Sequence, residues 1–268
     1  MVKDKTKKKS KKSEKDSDIL EDTRWRMMRI AGGAKKTSKK KKNDYIIAIP
    51  SYKREETLKN KTLRVLQEQG ISKKKIFIFV GNQEEYEKYK NTLPKYYNKI
   101  IIGEVGMGTI RNFITDYFPK GQKIFNMDDD INGFVELTKE KNKNTKSKSQ
   151  SKKFKGNDLD KFIRKGFDEC QKNNLSLFGI YPASNPFFMK KRITYDLRYI
   201  IGSCWGCINN KNIKVSMDDK EDFERTLKYY KQDGGVIRFE NVTVISGYYT
   251  EKGGMQETRT KDRVLKSA

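Results

Sequence analysis

Along the first half of the chain, short unbroken apolar runs alternate with apolar residues at helical spacing. Residues 45–49 form one such run, closed by Pro50 and Ser51, and a short apolar run ended by a breaker predicts a buried strand. Over 55–69, Leu58, Thr62, Val65 and Leu66 share a helical face, and Gly70 is a suitable terminator. Residues 76–80 predict a second strand. A helix over 84–93 follows, with Tyr86, Tyr89 and Leu93 on one side and Pro94 as its breaker. Residues 99–103 predict a third strand, 108–118 a helix carrying Ile110, Phe113, Ile114 and Tyr117, and 123–127 a fourth strand. Such alternation predicts an α/β fold, a mainly parallel sheet flanked by helices with right-handed crossovers.

The second half is less regular. Residues 158–173 are strongly amphipathic, with Leu159, Phe162, Ile163, Phe167 and Cys170 on one face. Two strands, over 175–181 and 193–201, are expected to flank a turn at 182–186 and the residues Asn185, Phe187 and Phe188. A helix over 218–232 and one or two strands over 236–249 complete the pattern. From Gly253 onward the chain is polar and expected to be mobile.

Composition changes this picture at two places. The chain of 268 residues carries a formal net charge of +25, and residues 1–42 hold 17 Lys and Arg against 6 Asp and Glu. Residues 138–157 hold 8 Lys against Glu140 alone. Both stretches are poor in apolar side chains, so a disordered basic N-terminal tail and a disordered basic insert are expected. One domain over 43–256 and a short tail over 257–268 remain. The lysine excess, 47 Lys to 13 Arg, reads either as selection for binding a polyanion or as coding bias. With no apolar run long enough to span a bilayer, a soluble intracellular protein, nuclear or cytoplasmic and without a membrane partner, is expected. Three cysteines, Cys170, Cys204 and Cys207, and no histidine argue against a disulfide framework or a zinc site and favour buried thiols.

The most informative chemistry is the triplet Asp128-Asp129-Asp130, directly after the apolar run that ends at Met127. Carboxylates at the carboxyl end of a strand are rigidly held, and hard oxygen ligands suit Mg²⁺ or Mn²⁺ beside a phosphate-bearing substrate. A solvated turn is the plainer reading of an acidic triplet. In a parallel sheet the loops after Ile49 and Met127 share the carboxyl edge, so Ser51, Tyr52, Arg54 and the aspartates converge on one crevice.

These residues carry a resemblance. The stretch 45–54, then Gly108-Thr109-Ile110-Arg111-Asn112, then 128–131, look like the nucleotide-sugar half of a GT-A glycosyltransferase with its Asp-x-Asp element. Lys220-Glu221-Asp222-Phe223-Glu224 is similar to the Glu-Asp element of inverting members. Segments 178–189, 196–202 and 234–238 resemble the glycosyltransferases associated with TET/JBP-type DNA base modification, the group that contains the J-base glucosyltransferase. The resemblance spans about residues 44 to 256. It implies Asp128 and Asp130 as metal ligands, with Asp129 facing away or toward the ribose. It implies Pro50, Ser51, Tyr52, Arg54, Arg111, Asn112, Asp128 and Asp129 around a UDP-sugar, and Asp222, with Glu221 beside it, as the catalytic carboxylates.

Plainer readings stand beside these. Arg54 and Arg111 suit simple ion pairs, and Glu221 with Asp222 suits the positive end of a helix dipole. The expected activity is metal-dependent, inverting transfer of a sugar, glucose in the first instance, to a hydroxymethylated DNA base, with DNA bound through the basic tail and insert. Transfer to a protein or glycan hydroxyl, a nucleic-acid-binding module with a decayed sugar site, and nucleotidyl transfer are the alternatives.

Overall fold

The computed structural model describes residues 44–140, 148–183, 185–247 and 254. The N-terminal basic stretch to residue 42 and the tail from 257 lie outside the described residues. In the first half the chain runs β1 (Ile46–Pro50), α1 (Glu55–Leu58), a π-helical turn (Lys59–Leu63), α2 (Arg64–Glu68), β2 (Ile76–Val80), α3 (Gln83–Thr92), β3 (Lys99–Ile102), α4 (Met107–Tyr117) and β4 (Lys123–Met127). Every strand and helix expected there is present. The helix over 55–69 differs in being split by its π turn, a feature common where a helix serves a site.

Eight strands form one sheet in the order β3-β2-β1-β4-β9-β7-β10-β8, where β7 is Leu177–Ile180, β8 Ile193–Thr194, β9 Cys204–Ile208 and β10 Ile237–Phe239. The β1–β2, β2–β3, β1–β4 and β7–β10 pairs are parallel, while β9 runs antiparallel to β4 and to β7. Both faces are covered, which is why β1 and β2 read as continuous apolar runs. On one face Ile47 and Ile49 meet Leu58, Leu66 and Tyr89, with Phe162 and Phe167 of α5 (Asp158–Asn173) in the same cluster. On the other face Ala48 and Ile124 meet Ile110 and Ile114 of α4 and Tyr229 of α6 (Glu221–Asp233).

Besides a short strand inside the expected insert, two strands escaped the sequence pattern. β9 was legible only as a cysteine pair. Its Gly206 lies against Phe178, and a Cβ there would stand 2.0 Å from the ring, so only glycine lets the strand and ring pack. Cys170, Cys204 and Cys207 are free and buried, as expected of structural thiols. The other missed strand, β5 (Ile131–Lys139), pairs antiparallel with β6 (Gln150–Lys153) and β11 (Val242–Ser246) in a second, three-stranded sheet. Its buried residues Ile131, Phe134 and Leu137 recur every three positions: the pairing with β11 shifts register between Ile131 and Gly133, and from Phe134 to Leu137 the register is unbroken, so those two are buried on opposite faces of the strand.

The expected disorder of 138–157 is corrected for its described part: β5 continues to Lys139 and β6 occupies 150–153, although every residue of β6 is exposed. Residues 141–147 lie outside the described residues. Between 193 and 201 only Ile193–Thr194 is a strand, and the rest is a loop.

Candidate functional site

Strand order reverses direction at β1, with β2 on one side and β4 on the other, and the crevice outside their carboxyl ends is where open α/β sheets bind ligands. The loop after β1 is tightly specified. Ser51 N donates to Phe79 O at 2.9 Å, Lys53 N to Glu85 Oε2 at 2.7 Å, and Arg54 N to the Tyr89 hydroxyl at 3.0 Å. Lys53 is left-handed at φ 54, a conformation these bonds hold. The Ser51 hydroxyl donates to Asp129 Oδ2 at 2.6 Å; its other contact, with the Tyr89 hydroxyl at 2.7 Å, therefore has Tyr89 as donor.

The triplet after β4 is clamped from a helix earlier in the chain. Thr62, in the π turn, donates to Asp128 O at 2.7 Å and accepts from Ile131 N at 3.0 Å, bracketing the three aspartates. Each carboxylate then has its own neighbour. Arg111 Nη2 donates to Asp128 Oδ1 at 2.9 Å, Arg54 Nη1 to Asp129 Oδ1 at 3.2 Å, and Ser246 Oγ to Asp130 Oδ2 at 3.1 Å. Burial pushes the Asp128 carboxyl up to about 7 against the pull of Arg111, with Asp130, Asp129 and Glu221 adding to the rise. Burial likewise raises Asp129 to about 6, opposed by Arg54 and Ser51. Ser51 and Arg54 hold the Asp129 carboxylate from two sides.

Arg111 is buried. Besides Asp128 it reaches Gly202 O at 3.1 Å and Glu221 Oε1 at 3.6 Å. Burial would lower its pKa, but Glu221 and Asp128 outweigh that and keep it charged. Its Nη1 has no hydrogen-bond partner among the described residues, a buried donor that an anionic ligand would satisfy. Glu221 is ion-paired with Arg225, whose guanidinium lies 3.9 Å from the Trp205 ring centroid. Its two carboxylate oxygens face these two guanidiniums, Oε1 toward Arg111 and Oε2 toward Arg225. Removing its charge would leave the buried Arg225 guanidinium without its ion pair and Arg111 with Asp128 alone.

Asp222, the next residue, faces the cleft. Its Oδ2 accepts from the Tyr199 hydroxyl and from Gly202 N, and its Oδ1 from Phe223 N. Burial and the Asp222 carboxylate both raise the Tyr199 pKa, so the phenol keeps its proton and acts as donor. Asn112 does not line this cleft. Its carboxamide donates to Val215 O at 2.7 Å and accepts from Val215 N at 2.9 Å, which fastens the 213–217 segment to α4 and keeps Asn112 off the cleft wall.

Pro50, Ser51, Tyr52, Arg54, Arg111, the three aspartates, Glu221 and Asp222 all line one cavity of about 490 Å³. Residues the pattern missed complete it: Tyr199, Gly202, Asp218, Ser246 and Gly254. Asp218 caps the start of α4 by accepting from Gly108 N at 2.7 Å. Gly254, placed by sequence in a mobile tail, donates its N–H to Tyr52 O, and a Cβ there would stand 2.9 Å from Arg54 Cζ. No local signal marks these contributions, which arise from long-range contacts.

Eight carboxylates, Glu104, Asp128, Asp129, Asp130, Asp218, Asp219, Glu221 and Asp222, line the cavity against two guanidiniums. An anionic ligand entering so acidic a cleft requires accompanying cations. Among the described residues no group of three His, Cys, Asp or Glu side chains is arranged to hold a metal. Asp128 and Asp130 nevertheless fit a hard divalent ion of the Mg²⁺ type, which commonly takes one or two protein carboxylates and completes its shell with substrate phosphates and water. No helix among the described residues is long and apolar enough to cross a membrane.

A family model for TET-associated glycosyltransferases matches residues 45–254, which take in both sheets and every cleft residue named above. No curated protein matches the chain. On the extent of that match, from the first strand to the glycine that closes the cleft, the chain belongs to the TET-associated glycosyltransferase family.

Proposed function

We propose that this chain transfers a sugar, with glucose the first candidate, from a nucleoside-diphosphate donor to the hydroxyl of a hydroxymethylated DNA base, with inversion at the anomeric carbon and with Mn²⁺ or Mg²⁺ as cofactor. The observation that carries the reading is the sharing of one cavity by the Asp128–Asp130 triplet and Asp222, on walls far apart in sequence. Glycosyl transfer needs a group that stabilises a departing diphosphate and a base that activates an incoming hydroxyl, and these carboxylates are suited to one task each.

A divalent ion held by Asp128 and Asp130 would supply Lewis-acid neutralisation of the diphosphate. The chain's own residues do the rest. Arg111 offers its unpartnered Nη1 to the anion, and Ser51, Asp129 and Arg54 fix the loop on which the donor lies. Asp222 takes the acceptor's hydroxyl proton as the acceptor oxygen bonds to the anomeric carbon and the bond from that carbon to the phosphate oxygen breaks. Tyr199 and Gly202 N hold Asp222 in place for that step.

The test offers labelled donor sugars with oligonucleotides containing 5-hydroxymethyluracil, 5-hydroxymethylcytosine or neither, alongside a cell protein extract. Label on a hydroxymethylated oligonucleotide is the expected result. Label confined to protein would overturn the DNA acceptor.

A further inference from the structure

From the amino end of α6, where Asp222 faces the cleft, the helix carries a second feature on its outward side. Lys220, Phe223, Leu227 and Lys231 recur at spacings of three and four and so form one stripe, roughly 16 Å long at 1.5 Å per residue. Phe223 and Leu227 are 52% and 55% exposed, although the inward residues Arg225, Thr226 and Tyr229 are buried. The Phe223 ring is stacked on Tyr199, with centroids 4.3 Å apart and planes at 22°, and Tyr199 is the residue that donates to Asp222. An exposed aromatic is thus fixed through a single side chain to the carboxylate of the reaction. Met217, also exposed, is tied to the same turn because its N–H donates to Glu224.

The charges along the stripe separate it from an ordinary solvated helix face. Lys228, one position off, is neutralised by Glu224, whereas Lys220 and Lys231 have no ion pair among the described residues. Lys231 at the carboxyl end suits the helix dipole, but Lys220 at the amino end opposes it and gains nothing there for the helix. Cations at both ends of an apolar pair complement a chain with charges on its backbone and flat apolar groups between them. That is the chemistry of a nucleic acid strand, read through phosphates and stacked bases.

We infer that the outward face of α6 is the track for the DNA strand that carries the acceptor: Lys220 and Lys231 contact phosphates, and Phe223, backed by Tyr199, stacks on a base next to the acceptor nucleotide. This rests on the DNA reading above and adds to it a surface on the folded domain, separate from the basic tail. Extruding a nucleotide costs unstacking energy, and a replacement stack beside Asp222 offsets it where the reaction occurs.

The experiment compares transfer to a single-stranded oligonucleotide containing one 5-hydroxymethyluracil with transfer to free 5-hydroxymethyldeoxyuridine, which is too small to reach the stripe. Phe223→Ala should raise the KM for the oligonucleotide roughly tenfold or more relative to the free nucleoside, and Phe223→Trp should restore it. Lys220→Gln with Lys231→Gln, which leave the Tyr199 stack alone, should reduce the log–log salt slope of oligonucleotide binding by about 1.4, or about 0.7 for each phosphate that is no longer neutralised. Oligonucleotide KM and salt slope equal to those of the unaltered chain would overturn the track while leaving the DNA acceptor standing. Failure of the unaltered chain to label any oligonucleotide would instead overturn the reading beneath it, and label on protein through this face would reassign it to a protein acceptor.

Discussion

The hydroxyl of Thr62 donates to the carbonyl of Asp128 at 2.7 Å, joining a helix to a loop 66 residues further along the chain. The same oxygen accepts from Ile131 N, so one buried side chain sets both ends of the aspartate triplet. Thr62 sits in the only π-helical turn among the described residues, and that turn packs against β5.

Thr62→Val keeps the shape and removes both hydrogen bonds, leaving a buried carbonyl and a buried N–H unpaired. Stability should fall by about 1–3 kcal/mol, read from urea unfolding, and transfer should fall with it as the triplet loosens. Thr62→Ser should recover most of both. An unaltered urea midpoint in Thr62→Val would mean that the loop is held by other contacts.

Asp130→Asn replaces a cleft carboxylate whose only hydrogen bond among the described residues is from Ser246. Transfer should be lost while the melting temperature stays close to that of the unaltered chain. Excess EDTA should abolish transfer in the unaltered chain, and Mn²⁺ added back should restore it. Full activity in EDTA would remove the ion from the reaction.

Asp222→Asn keeps the hydrogen-bonding shape but cannot take a proton, so kcat should drop by roughly 10²-fold or more with donor affinity retained. Tyr199→Phe retains the stack on Phe223 and deletes only the bond to Asp222, and a smaller fall in kcat with unchanged donor KM is expected. A change confined to donor KM in either variant would move Asp222 to the donor subsite.

Glu224 sets a pH dependence of stability. Burial alone would raise its pKa, but the Lys228 ammonium and the N–H groups of Ser216 and Met217 outweigh burial and hold it at about 2. Because the folded value lies below the roughly 4.3 of an unfolded glutamate, its contribution is present above about pH 4.3 and is lost as pH falls toward 2. The difference in urea midpoint between the unaltered chain and Glu224→Gln should therefore be full at pH 6 and narrow steadily below pH 4.3. A difference that stayed constant with pH would rule out the ionised Glu224 as its source.

The sequence by itself determined the α/β class, the four strands from 46 to 127 and the position of the aspartate triplet at a strand end. Buried parallel strands are apolar on both faces and helices are apolar on one, so local order records which positions are covered. It also placed Ser51, Arg54 and the triplet at one crevice, since parallel strands share a carboxyl edge. Only the tertiary structure decided which carboxylate each cation meets. Glu221 and Asp222 are adjacent in sequence, yet Glu221 turns inward to Arg111 and Arg225 while Asp222 turns to Tyr199 and the cleft. Asn112 and Arg111 diverge in the same way, one to Val215 and the other to Asp128. The antiparallel strand β9 and the Thr62 clamp were hidden for a related reason. Each depends on contacts between segments far apart in the chain, and spacing within a segment carries no record of the segment it will meet.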